Sequence, residues 1–139
     1  MEKALETLDF DLWEHDEERL VELVVLLFRK SGLMESFKIG EERLRAFVIA
    51  VRDGYRSNPF HNFRHGFDVL QVVSALTSGL ALRQLRPLEL LAIFLTSLCV
   101  DLDHGGVSDL FLVNTQSPLA QVRSSKLTVG CSHSSLHTN

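Results

Sequence analysis

From Leu88 to Val100 the only charged side chain is Glu89, and Thr96 and Ser97 are the other polar breaks. A helix built on that run is apolar nearly all round. An ordinary surface helix carries a single apolar stripe, so this one has to be covered by other elements on most of its sides. The run is too short to cross a bilayer, which takes about 20 apolar residues. Pro87 suits the first position of the helix, where its missing N–H costs nothing. The expectation is a central, buried helix from Pro87 to about Leu102, broken by Gly105-Gly106.

The remaining chain supplies helices to cover it. Asp16 to Lys30 opens on acids, turns apolar and closes on Arg29-Lys30, an order that suits the helix dipole. Ser31-Gly32 is its stop. From Glu41 to Tyr55, the residues Leu44, Phe47, Val48, Val51 and Tyr55 draw one stripe at helical spacing. Asn58-Pro59 ends this region, because a residue before proline is pushed toward extended backbone. A third helix is expected from about Asn62 to Leu82, with Val69, Leu70, Val72, Val73, Leu76 and Leu80 packing inward. A shorter helical piece spans Val107 to Asn114. The apolar runs Phe47–Val51 and Val69–Val73 do not alternate with period two, so strands are not indicated. The fold class is all-α.

Composition narrows the function classes. A chain of 139 residues has room for one core. Its 45% apolar and 23% charged residues exclude a wholly disordered or disulfide-scaffold protein. A net charge of −4 argues against a general nucleic-acid binder, which needs clustered Lys and Arg. Two cysteines, Cys99 and Cys131, cannot make a disulfide framework. Cys99 lies in the apolar run and reads as a buried thiol in a reducing compartment. Met1 to Phe10 lacks the basic-then-apolar order of a signal peptide. These features point to a soluble, cytoplasmic protein with no membrane or nucleic-acid partner. Residues 122–139 carry no helical stripe and are rich in serine, so a disordered tail is expected there, unrelated to the domain at 1–121.

Function has to come from sites, and three of the six histidines fall in two short blocks. The first is His61-Asn62-Phe63-Arg64-His65, followed by Asp68. If the third helix begins by residue 61, His61, His65 and Asp68 share one helical face. Asp68 could then hold a histidine N–H. The second block is Asp101-Leu102-Asp103-His104, where Asp101 and His104 can converge. Two carboxylates and an imidazole at the tip of an apolar helix are costly unless a metal or a hydrogen-bonded network compensates them. A simpler reading also stands: a polar helix face in one block, and a capped turn into glycines in the other. The His-x-x-x-His spacing is also that of zinc metalloproteases, but Asn62 stands where their glutamate base is required.

At these residues the sequence resembles the catalytic domain of the 3′,5′-cyclic-nucleotide phosphodiesterases. The stretch from Val51 to Val69, with Tyr55-Arg56, Asn58-Pro59-Phe60-His61-Asn62, His65 and Asp68-Val69, is close to that family's first signature. Leu98 to Gly106 is similar to its Asp-Leu-Asp-His block, and Phe111 to Ala120 and Met34 to Leu44 also fit. The resemblance covers about residues 8 to 121 and implies the N-terminal part of an all-helical, HD-type domain. It implies metal-dependent hydrolysis of cAMP or cGMP, usually with Zn²⁺ and Mg²⁺ (or Mn²⁺). By resemblance His61 is the proton donor, His65 and Asp101 are metal ligands, and His104 is a supporting group behind them. His61 and Asp101 would also face the substrate.

The departures carry weight. Val100 stands where the family has a metal-binding histidine, and valine has no lone pair. Gly105 replaces a proline, and Asp109 replaces a substrate-facing asparagine, adding a negative charge that repels phosphate. After Gln121 the resemblance stops, and with it the family's later metal-binding aspartate. Only two zinc ligands match, where a zinc site normally takes three or four. His133 and His137 in the tail are four apart and offer a conceivable replacement pair. The expectation is therefore a truncated family member of weak or no activity. The alternatives are a non-catalytic fragment that pairs with a full-length relative and a general metal-binding helical domain.

Overall fold

Asp16 starts the first long helix as the charge order demands. Its carboxylate accepts a hydrogen bond from the Arg19 N–H at 2.7 Å, which caps α1, Glu17–Lys30. Ser31 closes the helix, and Gly32 follows with φ of +75°, a conformation open to glycine. The short α2 (Leu33–Ser36) leads into α3 (Glu41–Gly54), α4 (Phe63–Ser78) and α5 (Pro87–Leu98). The computed structural model describes residues 5, 7–78 and 85–121, which divide into two compact units, 1–105 and 106–139. Helices α1 to α5 belong to the first unit. The second holds α6 (Asp109–Asn114), capped by the Ser108 hydroxyl, which accepts from the Phe111 N–H. No strand occurs among the described residues, and the fold is all-α. None of these helices is long and apolar enough to cross a membrane.

The core of the first unit forms where α1 meets α3 and α4, and where α4 meets α5. Leu20, Val24, Leu27 and Phe28 from α1 are buried against Leu44 and Val48 from α3 and Phe63, Phe67 and Leu70 from α4. Phe94 of α5 meets Phe28 edge to face, with ring centroids 5.2 Å apart. Two polar side chains of α4 fasten the N-terminal segment. Buried Gln71 donates to the carbonyls of Leu5 and Thr7 at 3.0 and 2.7 Å. The Arg64 guanidinium donates to those of Leu12 and His15 at 2.7 and 2.8 Å and lies over the Trp13 ring.

Several expectations need correction. The inward stripe of α4 is Phe63, Phe67, Leu70 and Gln71, while Val69, Val72 and Val73 are half-buried and Leu76 is exposed. The aromatic rings win the core positions because they remove more area from water than the valines would. Helix α5 is neither as long nor as buried as its composition implies. It stops at Leu98, and only Phe94, Ser97 and Leu98 are buried, while Leu88, Val100 and Leu102 are exposed. Tyr55 explains the stop. Its hydroxyl donates to the Leu98 carbonyl at 2.8 Å, the group that a continuing helix would pair with Leu102. The Leu102 N–H turns to the Cys99 carbonyl instead. Cys99 is half-buried rather than enclosed. Leu80 and the expected helix end at Leu82 lie outside the described residues, as do Cys131, His133, His137 and the rest of the tail.

Candidate functional site

The first histidine block straddles a helix boundary. The Asn62 side-chain oxygen accepts from the His65 N–H at 3.1 Å, and its carbonyl accepts from the Gly66 N–H, so Asn62 caps α4. His61 therefore sits in the turn before the helix and does not share a helical face with His65, contrary to the spacing argument. The two rings are nonetheless brought together, with centroids 6.1 Å apart.

The second block comes to meet them on the turns after α5. His61 Nδ1 lies 2.8 Å from Asp101 Oδ2, and His65 Nε2 lies 3.4 Å from the same oxygen. A carboxylate only accepts, so His61 presents Nδ1–H to Asp101 and keeps Nε2 for other chemistry. The His104 ring stacks on that of His61 at 3.9 Å. The Asp101 side chain is 17% exposed, so its charge is partly stripped of water. One ligand atom each from His61, Asp101 and His104 lies within 4.8 Å of the others, the single such group among the described residues. The chain thus contains a histidine–aspartate group spaced to hold a metal ion.

Residues without metal chemistry hold this cluster in place. Asn58 Nδ2 donates to the carbonyl of His61 at 3.1 Å and to that of His104 at 2.7 Å, joining the two blocks. Tyr55 holds Leu98 and also accepts from the Asp101 N–H at 3.4 Å. Gly66 leaves space for that hydroxyl, since a Cβ there would stand 2.5 Å from it. Burial raises the Tyr55 phenol above its ordinary value, and the charges of Cys99 and Asp101 add to this. Burial likewise raises the Cys99 thiol. Arg56 donates to Asp103 at 2.7 Å, and that hydrogen bond, with the guanidinium charge, lowers the Asp103 carboxyl below its usual range. Sequence reasoning did not select Asn58 or Tyr55 for the site. The signal available was local: an asparagine beside a proline, and a tyrosine at the end of an apolar stripe.

Asp68 shares a small recess of about 80 Å³ with His65, Phe60 and Trp13. Among the described residues it hydrogen-bonds neither His61 nor His65. Val100 is half exposed beside Asp101 and offers no donor. Asp109 begins α6 in the second unit.

The family model for 3′,5′-cyclic nucleotide phosphodiesterases matches residues 60–138, which include both histidine blocks. The chain belongs to this family. The 3′,5′-cyclic-nucleotide phosphodiesterase regA of Dictyostelium discoideum is 40% identical over 114 residues, covering 81% of this chain and 14% of that protein. The high affinity cGMP-specific 3′,5′-cyclic phosphodiesterase 9A of Homo sapiens is 31% identical over 119 residues, 85% of this chain and 20% of that protein. Among solved structures, the phosphodiesterase domain of Salpingoeca rosetta rhodopsin phosphodiesterase superposes with a TM-score of 0.82 at 37% identity, over 87% of this chain and 37% of that one. The chain thus spans well under half the length of the relatives it matches.

Proposed function

We propose that the cluster around Asp101 is a phosphodiester-hydrolysing centre for cAMP or cGMP, and that this chain by itself works it weakly. The observation that carries the reading is the shared carboxylate oxygen, with His61 at 2.8 Å and His65 at 3.4 Å. Family membership supplies the substrate class. In this reading water adds to phosphorus as the P–O3′ bond breaks, Asp101 orients His61 through Nδ1–H, and the imidazolium form of His61 hands its Nε2 proton to the departing 3′ oxygen. An imidazole suits that work because it titrates near neutral pH.

The residues present do not fit the family's pair of metal ions, Zn²⁺ with Mg²⁺ or Mn²⁺. Val100 supplies no donor, which leaves His65 and Asp101 as the ligands the resemblance selects. His104, stacked on His61, would act as a supporting group, while Asp68 stands in the recess beside His65 without a hydrogen bond to either histidine among the described residues. We place the working protein in the cytoplasm, a reducing compartment that suits the free thiol of Cys99. The exposed Leu88, Val100 and Leu102 favour a second reading, a non-catalytic unit that pairs with a full-length relative. A changed elution profile on mixing the two would support that pairing.

A hydrolysis assay on the 139-residue chain with Zn²⁺ and Mg²⁺ tests the first reading. We expect slow turnover above metal-only controls, lost in His61→Ala. Val100→His restores a donor and should raise turnover at least about tenfold, the lower end of what partners of a metal site are worth. Turnover equal to the controls in both the parent chain and Val100→His overturns the proposal.

A further inference from the structure

We propose that the cleft lined by Arg52, Arg56 and Arg64 binds a phosphate group, either free or carried on a small ester. Its lining contains none of His61, His65, Asp101 and His104, so the site does not rest on the hydrolytic reading. Three observations carry it. The first is charge. The cleft encloses about 300 Å³, at the small end of ligand pockets, and three guanidiniums line it. Among the described residues Glu17 is the one acid in that lining. The chain as a whole is acidic, at −4, so three cations around one cavity are a local concentration rather than a general trend. Like charges gathered there repel one another, and an anion between them relieves that cost.

The second is unused donor capacity. Arg64 gives only Nη1 to the carbonyls of Leu12 and His15, and no carboxylate among the described residues pairs with it. Arg56 gives only Nε to Asp103, which leaves both of its Nη groups. Arg52 meets Asp53 through Nε and Nη2 at 2.9 Å and keeps Nη1. Ser57 adds a hydroxyl to the lining.

The third is how loosely two of the arginines are held. The side chains of Asp53 and Asp103 are 61% and 73% exposed, and ion pairs so open to water contribute little. A tetrahedral dianion can accept from three guanidinium forks at once, where a single carboxylate has two oxygens to offer. Phosphate therefore competes with Asp103 for Arg56, and the strength of that pair sets the affinity of the cleft.

The test is titration of the full chain, stripped of metals with a chelator, by inorganic phosphate and by glycerol 3-phosphate at constant ionic strength. Calorimetry and the arginine Nε–H resonances follow the binding. We expect one equivalent to bind, with shifts centred on Arg52, Arg56 and Arg64. Tighter binding of glycerol 3-phosphate assigns the site to a phosphate ester, and tighter binding of phosphate assigns it to the free ion. Arg52→Gln and Arg56→Gln should each weaken binding about tenfold, the worth of a charge-assisted hydrogen bond. Asp103→Asn should tighten it by roughly threefold, because Arg56 is released. Glu35→Gln makes the same change of charge on an exposed side chain outside the lining and should stay within about twofold of the parent. His61→Ala should bind as the parent does, which separates the cleft from the histidine cluster. Circular dichroism on each variant reports that the helices persist. Absence of saturable binding overturns the proposal, as does parent-like affinity in both Arg52→Gln and Arg56→Gln. No cyclic nucleotide or metal enters this titration, so its failure and the failure of the hydrolysis assay are separate events.

Discussion

Helices α1 and α5 invert what their compositions promise. Of the 14 residues in α1, seven are buried, although the helix begins and ends in charges. Of the 12 in α5, three are buried, although eight are aliphatic or aromatic. The difference lies in the neighbours. Helix α1 packs against α2, α3 and α4, while α5 packs mainly on α4, more thinly on α2, and meets α1 through Phe94. A side chain leaves water only where another surface arrives to cover it, so hydropathy sets the demand for burial and topology sets the supply.

Substitutions can break that contrast or sharpen it. The largest effect is expected from Phe28→Ala on α1. Phe28 is fully buried and meets Phe94, so its loss should cost about 3–5 kcal/mol in urea unfolding. A cost below about 1 kcal/mol would place the main core elsewhere. Tyr55→Phe comes next. It removes the hydroxyl that joins Leu98 and Asp101, at about 1 kcal/mol, and should lengthen α5 toward Leu102 as read by amide exchange.

Asp103→Asn is smaller and depends on pH. The Asp103 carboxyl sits below its ordinary value because of Arg56, so the pair stabilises the fold above the unfolded carboxylate value. That contribution fades as pH falls through the lowered folded value. The variant should therefore melt slightly below the parent at neutral pH, and the gap should close in acid. Asparagine tolerates the left-handed backbone at this position, where φ is +58°, so the comparison isolates the charge. Leu88→Ser on the exposed face of α5 should change stability least, within about 0.5 kcal/mol. A large loss there would show that the face is covered after all.

Local signals were legible in the sequence, and cross-chain ones were not. Asp16 and Gly32 bound α1 as their chemistry requires, because a cap and a left-handed stop act within a few residues. The two histidine blocks stand out by residue type, and the structure brings them to one carboxylate. The sequence places the start of α4 near Asn62 but leaves open whether His61 stands on the helix, which the Asn62 cap decides. Nor does it show that Tyr55 would take the Leu98 carbonyl and end α5 early. Both outcomes rest on competition for a hydrogen-bond partner, and the winner depends on what lies nearby in space. The stripe of α4 failed for a related reason. Helical spacing allows several faces, and Phe63 and Phe67 chose the one facing α1 and α5.

The amide of Asn58 reaches two carbonyls that lie far apart along the chain, one before α4 and one after α5. The link to His61 is local, three residues on, but the link to His104 closes only when the segment after α5 has found its place, so the bridge between the two blocks waits for the long-range contact. The imidazole cluster is therefore among the last features to mature during folding, and its ring resonances would mark arrival at the native state more faithfully than helix content does.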